Sequence, residues 1–197
     1  MGVDRLAGAY MTLSGARRRA LQASRSQEIQ VRRVERFDSS HDALWEQMSK
    51  GVSCLAVRDS SYLNWKYVEQ PGQSYDCWEV FRSNRLLGAF VTKTEEPNAI
   101  YAYRRIHWVD LLCALDPDTI DTVIHGCISS SEILRADAIS IQLTHRLIEE
   151  RLVAHGFVTR QETRYLYASR GLMESHGDLG EFDWLVNQGD SDIDRPE

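Results

Sequence analysis

Residues 105–126 read RIHWVDLLCALDPDTIDTVIHG, an apolar run of strand length that meets Asp116-Pro117-Asp118 and then changes its period. The first half, RIHWVDLLCAL, has the aliphatic and aromatic content of a buried strand. Asp116 stands where a helix needs a capping acceptor. Pro117 suits the first turn, where its missing N–H costs nothing, and Ile120, Val123, Ile124 and Ile128 then recur on one helical side. A long strand running straight into an amphipathic helix is the start of a crossover unit.

Working outward, AISIQL (138–143) reads as the next buried strand and THRLIEERLVAHGF (144–157) as a capped helix stopped at Gly156. TRYLYAS (163–169) reads as a last strand. Upstream, IQVRRVERF (29–37) alternates apolar and polar side chains as a half-buried strand does. Asp38-Ser39-Ser40 then caps a helix running to about Lys50, and a second short helix, SSYLNWKYV (60–68), follows Asp59 and ends before Pro71-Gly72. The strands YDCWEVFR (75–82) and RLLGAFVTK (85–93) are joined by Ser83-Asn84, a short polar turn suited to a hairpin. The predicted order is strand, two helices, three strands, helix, strand, helix, strand: a mixed α/β fold.

Composition narrows the function classes. The 197 residues are 43% hydrophobic, enough for a sizeable core. A net charge of −6 argues against a dedicated nucleic-acid binder, which needs a basic face. The charge is uneven: residues 1–36 hold eight Arg against Asp4, Glu28 and Glu35, and residues 174–197 hold eight acids against Arg195. Residues 1–27 are small, polar and Arg-rich, and are expected to be a basic linker or frayed helix ahead of a domain over 28–197. Cys54, Cys77, Cys113 and Cys127 lack a C-x-x-C pair and sit among apolar or small neighbours, as reduced thiols of a cytoplasmic protein do. No apolar run approaches the ~20 residues of a membrane span.

Several chemistries are excluded by spacing. The six histidines form no H-x-x-x-H pair and have no cysteine at ligand distance, so no metal site is expected. G-x-S-x-G and G-x-x-x-x-G-K-[ST] are both absent. The closing WLVNQGDSDIDRPE places Asp190, Asp192 and Asp194 at alternate positions, but Arg195 stands where a calcium loop needs Gly, and the twelfth position is missing. A polar turn anchored by Trp184-Leu185-Val186 is the plainer account.

The order of elements, together with RDSSYLNWKYVEQPGQSY (58–75), LLGAFV (86–91), RLVAHGF (151–157) and WLVNQGDSDIDRP (184–196), resembles the GNAT superfamily of acyl-CoA N-acyltransferases. In particular it looks like the C-terminal GNAT-like domain of tandem bacterial acetyltransferases linked with polysaccharide biosynthesis. The resemblance implies a mixed, mostly antiparallel central sheet flanked by helices. It also implies a Gly-rich turn after the long strand, whose amides hold the coenzyme pyrophosphate. The stretch LLCALDPDTIDTVIHG (111–126) departs from that pattern: it has no Gly before Gly126, Pro117 lacks a donor, and Asp116, Asp118 and Asp121 carry negative charge there.

The expectation is therefore a partial or degenerate acceptor-binding half that binds no cofactor by itself. It would work with a separate acyl-CoA-binding half, or as a homo-oligomer, on a small amine or amino-sugar acceptor. The alternatives are a self-sufficient enzyme using acetyl-CoA and a non-catalytic interaction module. For acid/base work the resemblance points to Asp110 and to Tyr165 or Tyr167. For acceptor contact the candidates are Tyr62, Trp65, Asp190 and Asp192, with Arg58 and Lys66 as charged rims. Tyr62 and Trp65 also suit a core-facing stripe, the preferred reading of that spacing.

Overall fold

The computed structural model describes residues 7–12, 29–161 and 183–190. Seven strands form one sheet: β1 (Ala7–Thr12), β2 (Ile29–Val34), β4 (Asp76–Arg82), β5 (Arg85–Glu95), β6 (Arg105–Cys113), β7 (Ala138–Leu143) and β8 (Val158–Gln161), in the spatial order β2-β4-β5-β6-β7-β1-β8. Every neighbouring pair is antiparallel except β6 and β7. Two short strands, β3 (Cys54–Leu55) and β9 (Trp184–Leu185), pair separately and in parallel.

Among the described residues, four helices cover the faces: α1 (Ser39–Ser49), α2 (Ser60–Tyr67), α3 (Pro117–Ile133) and α4 (Arg146–Ala154). The caps expected at Asp38, Asp59 and Asp116 are present, whereas α4 begins after His145 without a side-chain cap. The Asp38 carboxylate accepts from the Ser40 amide, Asp59 from the Tyr62 amide and Asp116 from the Thr119 amide. Ser83 and Asn84 both take positive φ, at 49° and 63°, which is the twist a two-residue hairpin turn demands. Trp78, Phe90 and Trp108 are about 1% exposed, with Trp78 stacked on Phe90 and Phe90 meeting Trp108 edge-on, and Ile120, Val123 and Ile124 of α3 share the same apolar core. Gly126 lets α3 approach closely, since a Cβ there would come 2.7 Å from a methyl of Val80.

Two features depart from the sequence reading. Residues 1–27 were expected to lie outside the folded domain as linker or frayed helix, yet Ala7–Thr12 is an inner strand of the sheet, antiparallel to β7 and β8 on its two sides. Its AGAYMT sequence has little intrinsic strand preference; hydrogen bonding from both neighbours supplies what propensity does not. The strand β8 at Val158–Gln161 was not anticipated. The expected strand at 163–169 lies outside the described residues, as do the acids beyond Asp190. Among the described residues, no helix is long and apolar enough to cross a membrane. All four cysteines are free thiols.

The irregularity that organises the molecule is a bulge in β6. Its register against β5 shifts so that Val91 faces Asp110 while Thr92 faces Trp108, leaving Val109 as the extra residue. Parallel pairing of β6 with β7 stops at the same level, at Trp108 with Ile141. Beyond it, residues 109–113 of β6 part from β7.

Candidate functional site

The opening between the parted strands is filled by the chain's own segment 184–190. Leu143 bridges to Asn187, the Thr144 amide donates 2.9 Å to the Val186 carbonyl, and the Thr144 hydroxyl donates to the Trp184 carbonyl. The amides of Ser53 and Cys54 hold the Asp183 carbonyl from the other side. Leu185 is fully buried, and Asn187 and Gln188 are 3% and 8% exposed. Gly189 lies so close to β6 that an added Cβ would sit 2.9 Å from the Val109 carbonyl and collide with the Tyr67 hydroxyl. Only glycine fits there.

Beneath this segment lies a buried ionic network. The Arg58 side chain, 0% exposed, donates from Nε to Asp110 Oδ1 at 2.7 Å, from Nη2 to Asp190 Oδ2 at 2.5 Å and from Nη1 to the Ala56 carbonyl at 2.8 Å. Asp110 also accepts from the Tyr67 hydroxyl at 2.6 Å, from Asn187 Nδ2 at 2.7 Å and from the Leu111 amide at 2.8 Å. The Asn187 amide donates to Asp190, and Lys66 donates to the Gly189 carbonyl. Burial alone would lower the Arg58 pKa, but Asp110 and Asp190 hold it above the ordinary guanidinium value. Burial and then the neighbouring Asp110 charge raise that of the Tyr67 phenol. Burial also raises that of the Asp190 carboxyl, because Arg58 is shared with Asp110 and offsets only part of the cost.

The sequence candidates are thus sorted. Asp110 and Asp190 are brought together through Arg58, which is not an exposed rim but the centre of the network. The closing turn at Asp190 is packed rather than solvated. Tyr62 is half-buried, packs against the core and has Lys66 Nζ 6.0 Å from its ring centroid, whereas Trp65, 5.7 Å from the Tyr62 ring, is 51% exposed, so the two do not share one core-facing stripe; α2 turns Leu63, Asn64 and Tyr67 inward. Tyr165, Tyr167 and Asp192 lie outside the described residues.

At the start of α3, the charges expected to repel a polyphosphate are largely paired, Asp118 with Arg82 and Asp121 with Arg151 and His155. Asp116 acts differently, since its carboxylate occupies the Thr119 amide. Pro117 has no amide to offer, so the helix start presents fewer donors than an anion site uses.

A second polar cluster was missed by the sequence reading. On the other side of the bulge, His107 of β6 lies between Glu95 of β5 and Ser140 of β7, with Nε2 2.9 Å from Glu95 Oε2 and Nδ1 2.7 Å from Ser140 Oγ. Arg105 donates to the same Glu95 oxygen from Nε at 2.8 Å. The Arg105 hydrogen bond, opposed by burial and helped by His107, lowers the Glu95 pKa to about 2. Burial lowers that of His107. Among the described residues, no group of three or more His, Cys, Asp or Glu side chains is placed to hold a metal ion.

A mixed, mostly antiparallel sheet with one parallel pair that parts at a bulge, flanked among the described residues by four helices, is the architecture of a GNAT-like fold. No family model and no curated protein matches the chain in sequence. Solved structures do match in fold. A functionally unknown conserved protein from Staphylococcus epidermidis superposes at TM-score 0.52 and 9% identity, over 80% of this chain and 58% of that one. N-myristoyltransferase of Saccharomyces cerevisiae, solved with bound myristoyl-CoA, matches at 0.50 and 8% identity, over 77% of this chain and 47% of that one. An aminoglycoside acetyltransferase from an uncultured soil metagenomic sample matches at 0.45 and 9%, over 72% of this chain and 95% of that one. The chain thus spans about half the length of the first two proteins.

Proposed function

We propose that this chain is an acyltransferase-related domain that serves as an acceptor-binding or scaffolding half, and that acyl-CoA is bound by a separate GNAT-like half or by another copy. The observation that carries this reading is the filling of the parted β6–β7 edge by residues 184–190, with Asp190 ion-paired to buried Arg58. A coenzyme arm entering that opening has to displace a packed segment, which strips buried Arg58 of Asp190 and Asp110 of its Asn187 donor. The occupied Thr119 amide acts in the same direction. In this reading Asp110 and Asp190 are structural acids.

An acceptor has a place to go. A cleft of about 490 Å³ is lined by Arg33, Glu35, Tyr67, Gln73, Ser74 and Tyr75. Its wall of amide, hydroxyl, charged and phenolic groups suits a small polar amine or amino sugar, the acceptor class of the tandem polysaccharide-linked acetyltransferases that the sequence resembles. Calorimetric titration tests the proposal. No heat with acetyl-CoA up to millimolar concentration is expected, and micromolar binding would restore the self-sufficient acetyl-CoA-dependent enzyme.

A further inference from the structure

The geometry points to a second, coenzyme-independent chemistry: Ser140, His107 and Glu95 form a nucleophile, base and orienting acid that transfers the acyl group of a small carboxylic ester onto the Ser140 oxygen.

The protonation pattern follows from the partners. A carboxylate can only accept, so the proton shared between Glu95 and His107 sits on His107 Nε2. Burial keeps the imidazole neutral near pH 7, which leaves Nδ1 as a lone pair. The Ser140 hydroxyl, 2.7 Å away, is then the donor, and its Oγ is oriented with a base already on its proton. Glu95 is itself held by Arg105, so the carboxylate stays ionised and fixes the ring.

The cluster is partly open, unlike the sealed network across the bulge. The His107 side chain is 20% exposed, the Glu95 side chain 34%, and Ser140 is half-buried. Three adjacent strands supply one residue each. In register, His107 faces Lys93 on one side and Ser140 on the other. Among the described residues, the charged groups around the ring are Glu95 and Lys93 of β5 and Arg105 of β6. No strand-to-helix elbow is needed, because sheet register alone places nucleophile and base.

In the step, the Ser140 O–H proton passes to His107 Nδ1 as Oγ bonds the ester carbonyl carbon and the carbonyl electron pair moves to oxygen. That pair returns as the C–O bond to the alcohol breaks, and the Nδ1 proton goes to the departing alkoxide. Water repeats the sequence on the acyl-serine, releasing a carboxylic acid and restoring the hydroxyl.

The test is labelling of the full chain with a fluorophosphonate, read by intact mass and peptide mapping, together with p-nitrophenyl acetate hydrolysis. One adduct per chain at Ser140 is expected, with none in Ser140→Ala. His107→Gln is expected to slow labelling about 100-fold, the scale of a lost general base, while circular dichroism confirms the fold. The labelling rate should rise with pH and level off at a midpoint below the ordinary histidine range, a dependence that a purely structural Ser140 does not produce. An unlabelled wild-type Ser140, or a Ser140 labelling rate indifferent to His107→Gln and to pH, overturns the inference.

Discussion

The two halves of β6 carry similar chemistry to opposite ends. Past the bulge at Val109, Asp110 is enclosed by Arg58, Tyr67 and Asn187 under a segment from far along the chain, and its side chain is 1% exposed. Before the bulge, His107 also has two polar partners, but these are half-open to solvent and one is a hydroxyl held against a basic nitrogen. The difference shows that hydrogen bonding alone does not mark a reactive group. A fully enclosed charge cluster is expensive to disturb and holds the fold, whereas a partly open one can exchange protons with a ligand.

The largest expected effect comes from breaking the sealed half at its centre. Arg58→Ala leaves Asp110 and Asp190 buried without their cation, and urea unfolding should show a loss of about 3–5 kcal/mol. Gly189→Ala forces a methyl group against the Val109 carbonyl and the Tyr67 hydroxyl and should cost about 1–3 kcal/mol by the same measurement. Tyr67→Phe removes one donor from Asp110 and should cost about 1–3 kcal/mol.

Titration separates the two halves by sign. The native pKa of Glu95 is depressed to about 2 from 4.5, so in that window the unfolded state binds more protons and stability falls as the pH drops. Glu95→Gln should flatten that slope. The native pKa of Asp190 is raised instead, so between its ordinary and raised values the folded state binds more protons and stability falls as the pH rises. Asp190→Asn should remove a slope of the opposite sign, and melting temperature against pH reads both. The smallest effect belongs to Trp65→Ala, expected within about 0.5 kcal/mol because the ring is half exposed.

Much of this fold was legible in local chemistry. Asp38, Asp59 and Asp116 cap where their positions ahead of apolar periodicity placed them, Ser83-Asn84 turns the hairpin, and AISIQL is a strand over its whole length. Elements whose stability is entirely tertiary were not legible. Ala7–Thr12 is a strand because β7 and β8 flank it, and Arg58 reads as a surface cation until Asp110 and Asp190 are seen to converge on it from 52 and 132 residues away. His107 and Ser140 lie 33 residues apart, and only parallel register sets them side by side. Trp65 misled for the converse reason: helical spacing to Tyr62 is compatible with either face, and packing turns Leu63, Asn64 and Tyr67 inward while Trp65 is 51% exposed.

The most direct test of the filled opening is amide hydrogen exchange of residues 184–190 with and without millimolar acetyl-CoA. The amides of Val186, Asn187 and Asp190, bonded to Thr144, Asp190 and Asn187 respectively, should exchange as slowly as the β6 core and be unaffected by the coenzyme. Rapid exchange of these amides in the free protein, or their release when acetyl-CoA is added, would contradict the account.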